Sequence, residues 1–412
     1  MAISHGPDHA WSQPRGGSPL GETHAPAKRD AAPPFAVTRL GAIMRRAPGD
    51  PHEAWGVLNP GCVRGRDGEL YLFPQVVAEG NYSRIGRARV RFDGQGNPMD
   101  VERLGTALEP TERYERAARW RGGVEDARVT YVPALDRYVM VYTACGLLGD
   151  RIAVAMSSDL RTWERVGLAH FAPERGIDWN AHADGDGTIF PEPVAAPDGR
   201  PAVALIHRPR FLVHHADGTV KRVLPEGVRD PRGSLWISYI DLEAARHDNS
   251  ALRRFGQHQP LAAPEATWER VRLGALAPPL LTHLGWLLVY TGVGGEAHRV
   301  TARDPAQKRL VASAGVMVLD RVDPRRMLYR SPEPILEPLT REEREGGPGA
   351  FRNLVVPAGL DPRSPPAPGA RVDLYYGMAE SAGVGWLTLP TALPDALRGA
   401  AARDGAGSQA AL

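Results

Sequence analysis

Tyr138-Val139-Met140-Val141-Tyr142 is entered from the turn-forming cluster Ala134-Leu135-Asp136 and left at Thr143. A short apolar run of β-branched and aromatic residues bounded in this way reads as a strand. It recurs as Glu69-Leu70-Tyr71-Leu72-Phe73, Pro201-Ala202-Val203-Ala204-Leu205-Ile206-His207, Gly285-Trp286-Leu287-Leu288-Val289-Tyr290 and Val372-Asp373-Leu374-Tyr375-Tyr376-Gly377. Successive copies lie roughly 60 to 90 residues apart, which is room for one sheet of about four short strands with its connections. Five such sheets around an axis make an all-β fold, a five-bladed β-propeller, in which only short protected edges remain. The runs are apolar almost throughout, so both faces are expected to be buried between neighbouring blades; a pair of β-sandwiches, the alternative, would leave one face of each sheet wet. Ring closure then pairs a strand near 35–45 with one near 383–389, and residues 35–396 form one domain. Helical pattern is confined to Asp241–Phe255 and Thr340–Glu345, read as excursions on the rim.

The composition suits this fold. In 412 residues, 45 glycines and 38 prolines supply the turns of a many-stranded chain. With 42% hydrophobic and 24% charged residues and a formal net charge of +2, neither a disordered chain nor a nucleic-acid binder driven by gross charge is indicated. The two cysteines, Cys62 and Cys145, sit in apolar stretches and read as small buried side chains, not as a disulfide framework. No run is long enough to cross a bilayer and the N-terminal stretch has no signal-peptide core, so a cytoplasmic protein without membrane or nucleic-acid partners is expected. Residues 1–34 and 397–412 read as disordered tails.

Chemistry concentrates at the blade loops. Gly122-Gly123-Val124-Glu125-Asp126-Ala127-Arg128 sets an acid pair and an arginine between a glycine turn and a strand, where a guanidinium can hold a carboxyl group in one ionisation state or grip an anion. Read without further context, such a stretch is more often a surface ion pair than a site. His207-Arg208 ends a buried strand with two cationic groups that face water, an anion or a polar ligand. Asp184 and Asp186, with their glycines, lack the distal glutamate of a calcium loop, so no metal is expected. Tyr82, Trp179, Tyr239 and Trp286 offer stacking faces for a sugar ring or, equally, packing inside blades.

Ser83-Arg84-Ile85-Gly86-Arg87-Ala88, Gly123-Val124-Glu125-Asp126-Ala127-Arg128, Phe190-Pro191-Glu192, His207-Arg208-Pro209, the stretch Pro278 to Tyr290, and Tyr375-Tyr376-Gly377 occur in an order and spacing that resembles glycoside hydrolase family 130, the propellers that include β-mannoside phosphorylases and β-mannosidases. The resemblance runs from about Asn59 to Leu389. It implies inverting cleavage of a β-mannosidic or related bond, with Asp126 as the general acid acting through a sugar hydroxyl. It implies inorganic phosphate as co-substrate, no other cofactor, and Arg84, Arg128, His207 and Arg208 as its ligands. Asn59, Tyr82, Glu125, Asp186, Glu192, Tyr376 and Glu380 are the positions it offers to a small carbohydrate substrate. Hydrolysis instead requires a carboxylate base, for which Glu343 or Glu345 is available; a non-catalytic sugar-binding propeller is the third reading. Four positions depart from the family pattern: Gly185 in place of a lysine, Ala127 in place of a proline, Thr291 in place of a histidine and Glu380 in place of an aspartate. The resemblance leaves a homo-oligomer open.

Overall fold

The computed structural model describes residues 34–117, 122–214, 219–295, 310–346 and 352–394. The tails expected at 1–34 and 397–412 lie outside these residues, apart from Pro34. The strands pair as five successive four-stranded antiparallel meanders. The first comprises Gly56–Arg64, Leu70–Ala78, Tyr82–Phe92 and Pro98–Leu108; the second Gly122–Val132, Arg137–Gly146, Gly149–Ser157 and Glu164–Leu168. These two join through a parallel contact of only two residue pairs, Tyr82 with Gly122 and Ser83 with Gly123. The third is built on Thr188–Ile189, Pro201–His207, Leu235–Asp241 and Arg254–Ala262, and the fourth on Arg272–Leu276, Gly285–Gly295, Leu310–Leu319 and Met327–Arg330. The fifth takes Val356–Pro362, Arg371–Gly377 and Ala382–Thr388 from the end of the chain and Val37–Met44 from its beginning. The expected ring closure is therefore present, with Val37 opposite Leu387 and Met44 opposite Ala382.

Each recurring apolar run is the second strand of its blade, and the reason it is apolar on both faces is visible in the packing. Side chains alternate across a strand. Tyr138, Met140 and Tyr142 enter a core shared with Phe73 and Ile85 of the first blade, while Val139 and Val141 enter one shared with Val203 and Leu205 of the third. Ala204 and Ile206 then meet Trp286 and Leu288, Leu287 and Val289 meet Leu374 and Tyr376, and Tyr375 meets Val57 and Leu72. Five interblade cores for five blades close the circle. The α-helices, Leu242–His247 and Arg341–Arg344, fall within the two expected excursions, and among the described residues no helix is long and apolar enough to cross a membrane.

The innermost strands of the blades border one another around the axis. Arg128 fills the centre. It is 1% exposed, and its guanidinium donates to the carbonyl oxygens of Leu276 at 2.8 Å, Ala127 at 3.2 Å and Pro357 at 3.3 Å, which belong to the fourth, second and fifth blades. Arg128→Ala leaves these acceptors unpaired in a dry interior and should lower unfolding stability by about 3 kcal/mol; chemical denaturation measures it.

Candidate active site

At one end of the axis the chain repeats an uncommon backbone conformation. Asn59, Asp126 and Asp186 have φ of 45°, 55° and 59°, a left-handed region that Asn and Asp tolerate better than other side chains. Asn59 and Asp126 sit at interruptions of strand register, between Leu58 and Gly61 and between Glu125 and Arg128. Such bulges re-aim a side chain, and they cluster at functional sites. Here they bring Asn59 Nδ2 to donate to Asp126 Oδ1 at 2.6 Å. Gly377 has no side chain because Asn59 occupies its place: a Cβ there would lie 1.9 Å from Asn59 Oδ1.

The carboxyl groups gathered here are driven apart electrostatically. Burial pushes Asp126 above the usual aspartate range against the opposing charge of Arg128, and the neighbouring Asp186 carboxylate pushes it further. Burial also acts upward on Asp186, but Arg208 and then Arg272 outweigh it and hold that group well below the usual range. Arg208 Nε donates directly to Asp186 Oδ2. Arg272 is pushed down to about 10 by burial and by Arg208 beside it, so it remains a cation at neutral pH. Arg272, Asp186 and Arg208 surround Gly274, where a Cβ would lie 2.4 Å from Arg272 Nη1 and 3.0 Å from Asp186 Oδ2. The outer side of this cluster opens into a cleft of about 320 Å³ lined by Arg208, Arg210, Arg222, Arg232 and Arg272. Two neighbouring carboxyls are thus biased in opposite directions, one upward by burial and one downward by arginines.

Glu125 adjoins this pair. Burial, then Asp126, push it up to about 7, with Ser83 Oγ donating to it at 3.1 Å. A pKa raised from an unfolded value of about 4.5 favours the folded state in full below that value and less as pH rises through 7. Glu125→Gln should therefore match the parent near pH 4 and exceed it at pH 8 by on the order of 3 kcal/mol, read from denaturation curves at the two pH values.

The other expected positions are distributed differently. Arg208 is at the site, but His207 lies behind it, fully buried between Asp184 and Ser238, and Arg128 spends its donors on carbonyls. Arg84 is held by Glu109 at 2.8 Å and lies over the ring of Tyr82. The four donors thus do not converge. Glu192 is not at this end: it lies between Thr188–Ile189, which pairs with Ile206 and Leu205, and Val194–Ala195, which pairs toward Pro201, and it lines a cleft with Leu281, Trp286 and Arg321. Glu343 caps the helix Arg341–Arg344, 0% exposed, with its oxygens taken by Arg39 and by the amides of Leu339 and Thr340; the hydroxyl of Tyr376 is 3.4 Å away. Glu345 is exposed and paired with Arg341 at 2.7 Å. Glu380 and Glu345 line a rim cleft of about 460 Å³ with Arg45, Arg46 and Glu342. Trp179, Tyr239 and Trp286 are buried in blade cores.

Of the departures, Gly185 sits against Thr143, and Thr291 is buried with its hydroxyl on the carbonyl of Ala275. Arg272 was not expected from the sequence. Its signal is a lone cation in Val271-Arg272-Leu273-Gly274-Ala275-Leu276, an otherwise apolar inner strand. Among the described residues no group of three or more His, Cys, Asp or Glu is arranged to hold a metal ion.

The all-β fold thus gathers a buried carboxyl group and paired arginines at one end of its axis. The sequence profile of glycoside hydrolase family 130, described as beta-1,4-mannooligosaccharide phosphorylase, matches residues 36–388, and the chain belongs to this family of glycoside phosphorylases and hydrolases. A 1,2-beta-oligomannan phosphorylase of Thermoanaerobacter sp. is 28% identical over 76% of this chain and 84% of its own. A beta-1,4-mannooligosaccharide phosphorylase of Ruminococcus albus is 27% identical over 70% of each. The structure of a beta-1,2-mannobiose phosphorylase from Listeria innocua superposes with a TM-score of 0.59 at 21% identity, covering 86% of this chain and 96% of that one.

Proposed function

We propose that this protein cleaves a β-mannosidic bond by phosphorolysis with inversion, using Asp126 as the general acid and inorganic phosphate held at Arg208 and Arg272. The observation that carries the reading is the geometry at one end of the axis, where Asp126, held by Asn59 Nδ2 at 2.6 Å, neighbours Asp186, to which Arg208 donates with Arg272 beside it; burial raises Asp126 while the arginines lower Asp186. Family membership and the phosphorylase relatives supply the substrate class. The bond between the anomeric carbon and the glycosidic oxygen breaks as Asp126 protonates that oxygen through a sugar hydroxyl. A phosphate oxygen forms the new bond from the opposite face, and the hydrogen of HPO₄²⁻ replaces the proton that Asp126 gave.

The hydrolytic reading needs a carboxylate free to activate water. Glu343 is committed to Arg39 and a helix start, and Glu345 to Arg341, so neither favours it. On the reading proposed here the enzyme works in the cytoplasm with no cofactor other than phosphate. A panel of β-1,2- and β-1,4-mannooligosaccharides, incubated with and without phosphate, tests it: mannose 1-phosphate formed only with phosphate is expected. Free mannose at equal rate in both conditions would overturn it.

A further inference from the structure

His207, expected from the sequence at an anion site, instead belongs to a buried chain of hydrogen bonds. Asp184 Oδ2 lies 2.6 Å from His207 Nδ1, His207 Nε2 lies 2.8 Å from Ser238 Oγ, Ser238 Oγ lies 2.8 Å from His258 Nδ1, and His258 Nε2 lies 2.9 Å from the carbonyl oxygen of Ala172. His207, Ser238 and His258 are each 0% exposed and Asp184 is 4% exposed. Phe171 stacks on His207 at 4.7 Å and Trp179 packs at 4.4 Å from His258, so water is kept from both rings.

Four contacts in a row need four hydrogens. An ionised aspartate, two neutral imidazoles and one hydroxyl bring three. The chain therefore holds one hydrogen more than its parts carry when His207 and His258 are neutral and Asp184 is ionised. Its direction follows from the far end. The Ala172 carbonyl only accepts, so His258 Nε2 carries hydrogen. Burial, then the nearby His207, push His258 down to about 4, so it is neutral and its Nδ1 accepts from Ser238. Ser238 Oγ then accepts from His207 Nε2, and the extra hydrogen lies between His207 Nδ1 and Asp184. Charged groups facing the chain are Arg151 and Asp150 of the second blade and Arg208, on the side of Asp184, Glu174, whose carboxylate accepts the amide of His258, and Arg175, which donates to the His258 carbonyl.

The near end of the chain meets the site. Asp184 Oδ1 accepts the amide of Gly185 at 2.8 Å, and the carbonyl of Gly185 accepts the amide of Arg208 at 3.1 Å. Asp186, with its positive φ, follows directly. We propose that Asp184, His207, Ser238 and His258 form a one-directional hydrogen-bonded chain holding a single extra proton, and that it acts as a positioning device fixing the Asp184–Asp186 turn and, through it, the Asp186–Arg208 pair. His207 is then a positioning residue that touches no ligand. Only the link to phosphate affinity rests on the function proposed above; the proton count does not.

The test uses the full chain labelled with ¹⁵N-histidine, observed by NMR at neutral pH, together with three variants. Both histidines should show a protonated Nε2, and His258 an unprotonated Nδ1. A His207 without hydrogen on Nε2, or a doubly protonated His258, overturns the proposal whatever the enzyme's substrate proves to be. An asparagine at 184 can supply the fourth hydrogen from its own amide while its oxygen keeps Gly185. Asp184→Ala should therefore raise KM for phosphate about 30-fold with a smaller effect on kcat, and Asp184→Asn should restore it to within about threefold of the parent. Ser238→Ala, which parts the two histidines, should resemble Asp184→Ala and lose the protonated Nε2 signature of His207. Equal losses in Asp184→Asn and Asp184→Ala would mean that the charge of Asp184, not the hydrogen-bond chain, is what matters, and would overturn the positioning role.

Discussion

Asp126→Asn is expected to lower kcat for phosphorolysis of a mannooligosaccharide by about 10³-fold, the usual range for loss of a positioned general acid. The fold should not suffer. Asparagine accepts the left-handed backbone that Asp126 adopts, its oxygen can keep the bond from Asn59 Nδ2, and the substitution removes a carboxyl group that burial disfavours in ionised form. Melting temperature should stay level or rise, which separates a chemical defect from a structural one. A leaving group that departs without protonation, such as an aryl mannoside with an acidic phenol, should recover most of the lost rate. Turnover of the natural linkage within tenfold of the parent would remove Asp126 from its assigned role.

Arg208→Ala should affect both binding and stability, in ways that a second substitution separates. Arg208 is 5% exposed, and its Nε donates to Asp186, the group it helps to hold ionised. Removing it strands a buried carboxylate, which destabilises by about 3 to 5 kcal/mol. It also removes a charge-assisted donor from the proposed phosphate, raising KM for phosphate by about 100-fold. In Arg208→Ala combined with Asp186→Asn the stranded charge is gone, so stability should largely return while the weak phosphate affinity persists. If phosphate affinity returned with stability, the anion would be bound elsewhere.

The blades were legible because their defining strands are buried on both faces and bounded by turns, so that Tyr138–Tyr142 or Trp286–Tyr290 announces itself without any knowledge of the site. Closure by the N-terminal strand was legible for a related reason: a ring of blades leaves an edge that something near the start of the chain must cover. The site was legible in part. Asp126 stands out as a charge at the entry to an apolar run, and Arg208 as one just past the end of another. What residue order does not carry is direction. The bulge between Glu125 and Arg128 turns Asp126 toward Asn59 and Arg128 into the axis, so two charged residues two positions apart serve the site and the core respectively. Alternation separates Ser83 and Arg84 likewise: the serine reaches Glu125, and the arginine turns to Glu109. Glu192 follows a strand that has already run from the site end to the other. Arg272 was hidden for the opposite reason, because a single arginine in an apolar strand carries no motif.

The N-terminal strand that completes the fifth blade also sets a clock for biosynthesis. Val37–Met44 emerges early, yet its partner Ala382–Thr388 is among the last segments made. At ordinary translation speeds the strand waits about 17 to 68 s with an unsatisfied edge. During that interval the Arg39–Glu343 contact does not exist, because Glu343 too is made late, and the cleft that Arg45 and Arg46 share with Glu342, Glu345 and Glu380 has only one wall. A chain interrupted anywhere before residue 382 therefore lacks the partner of its own beginning. Loss of the last strand should give an open, self-associating product in place of a weakened enzyme.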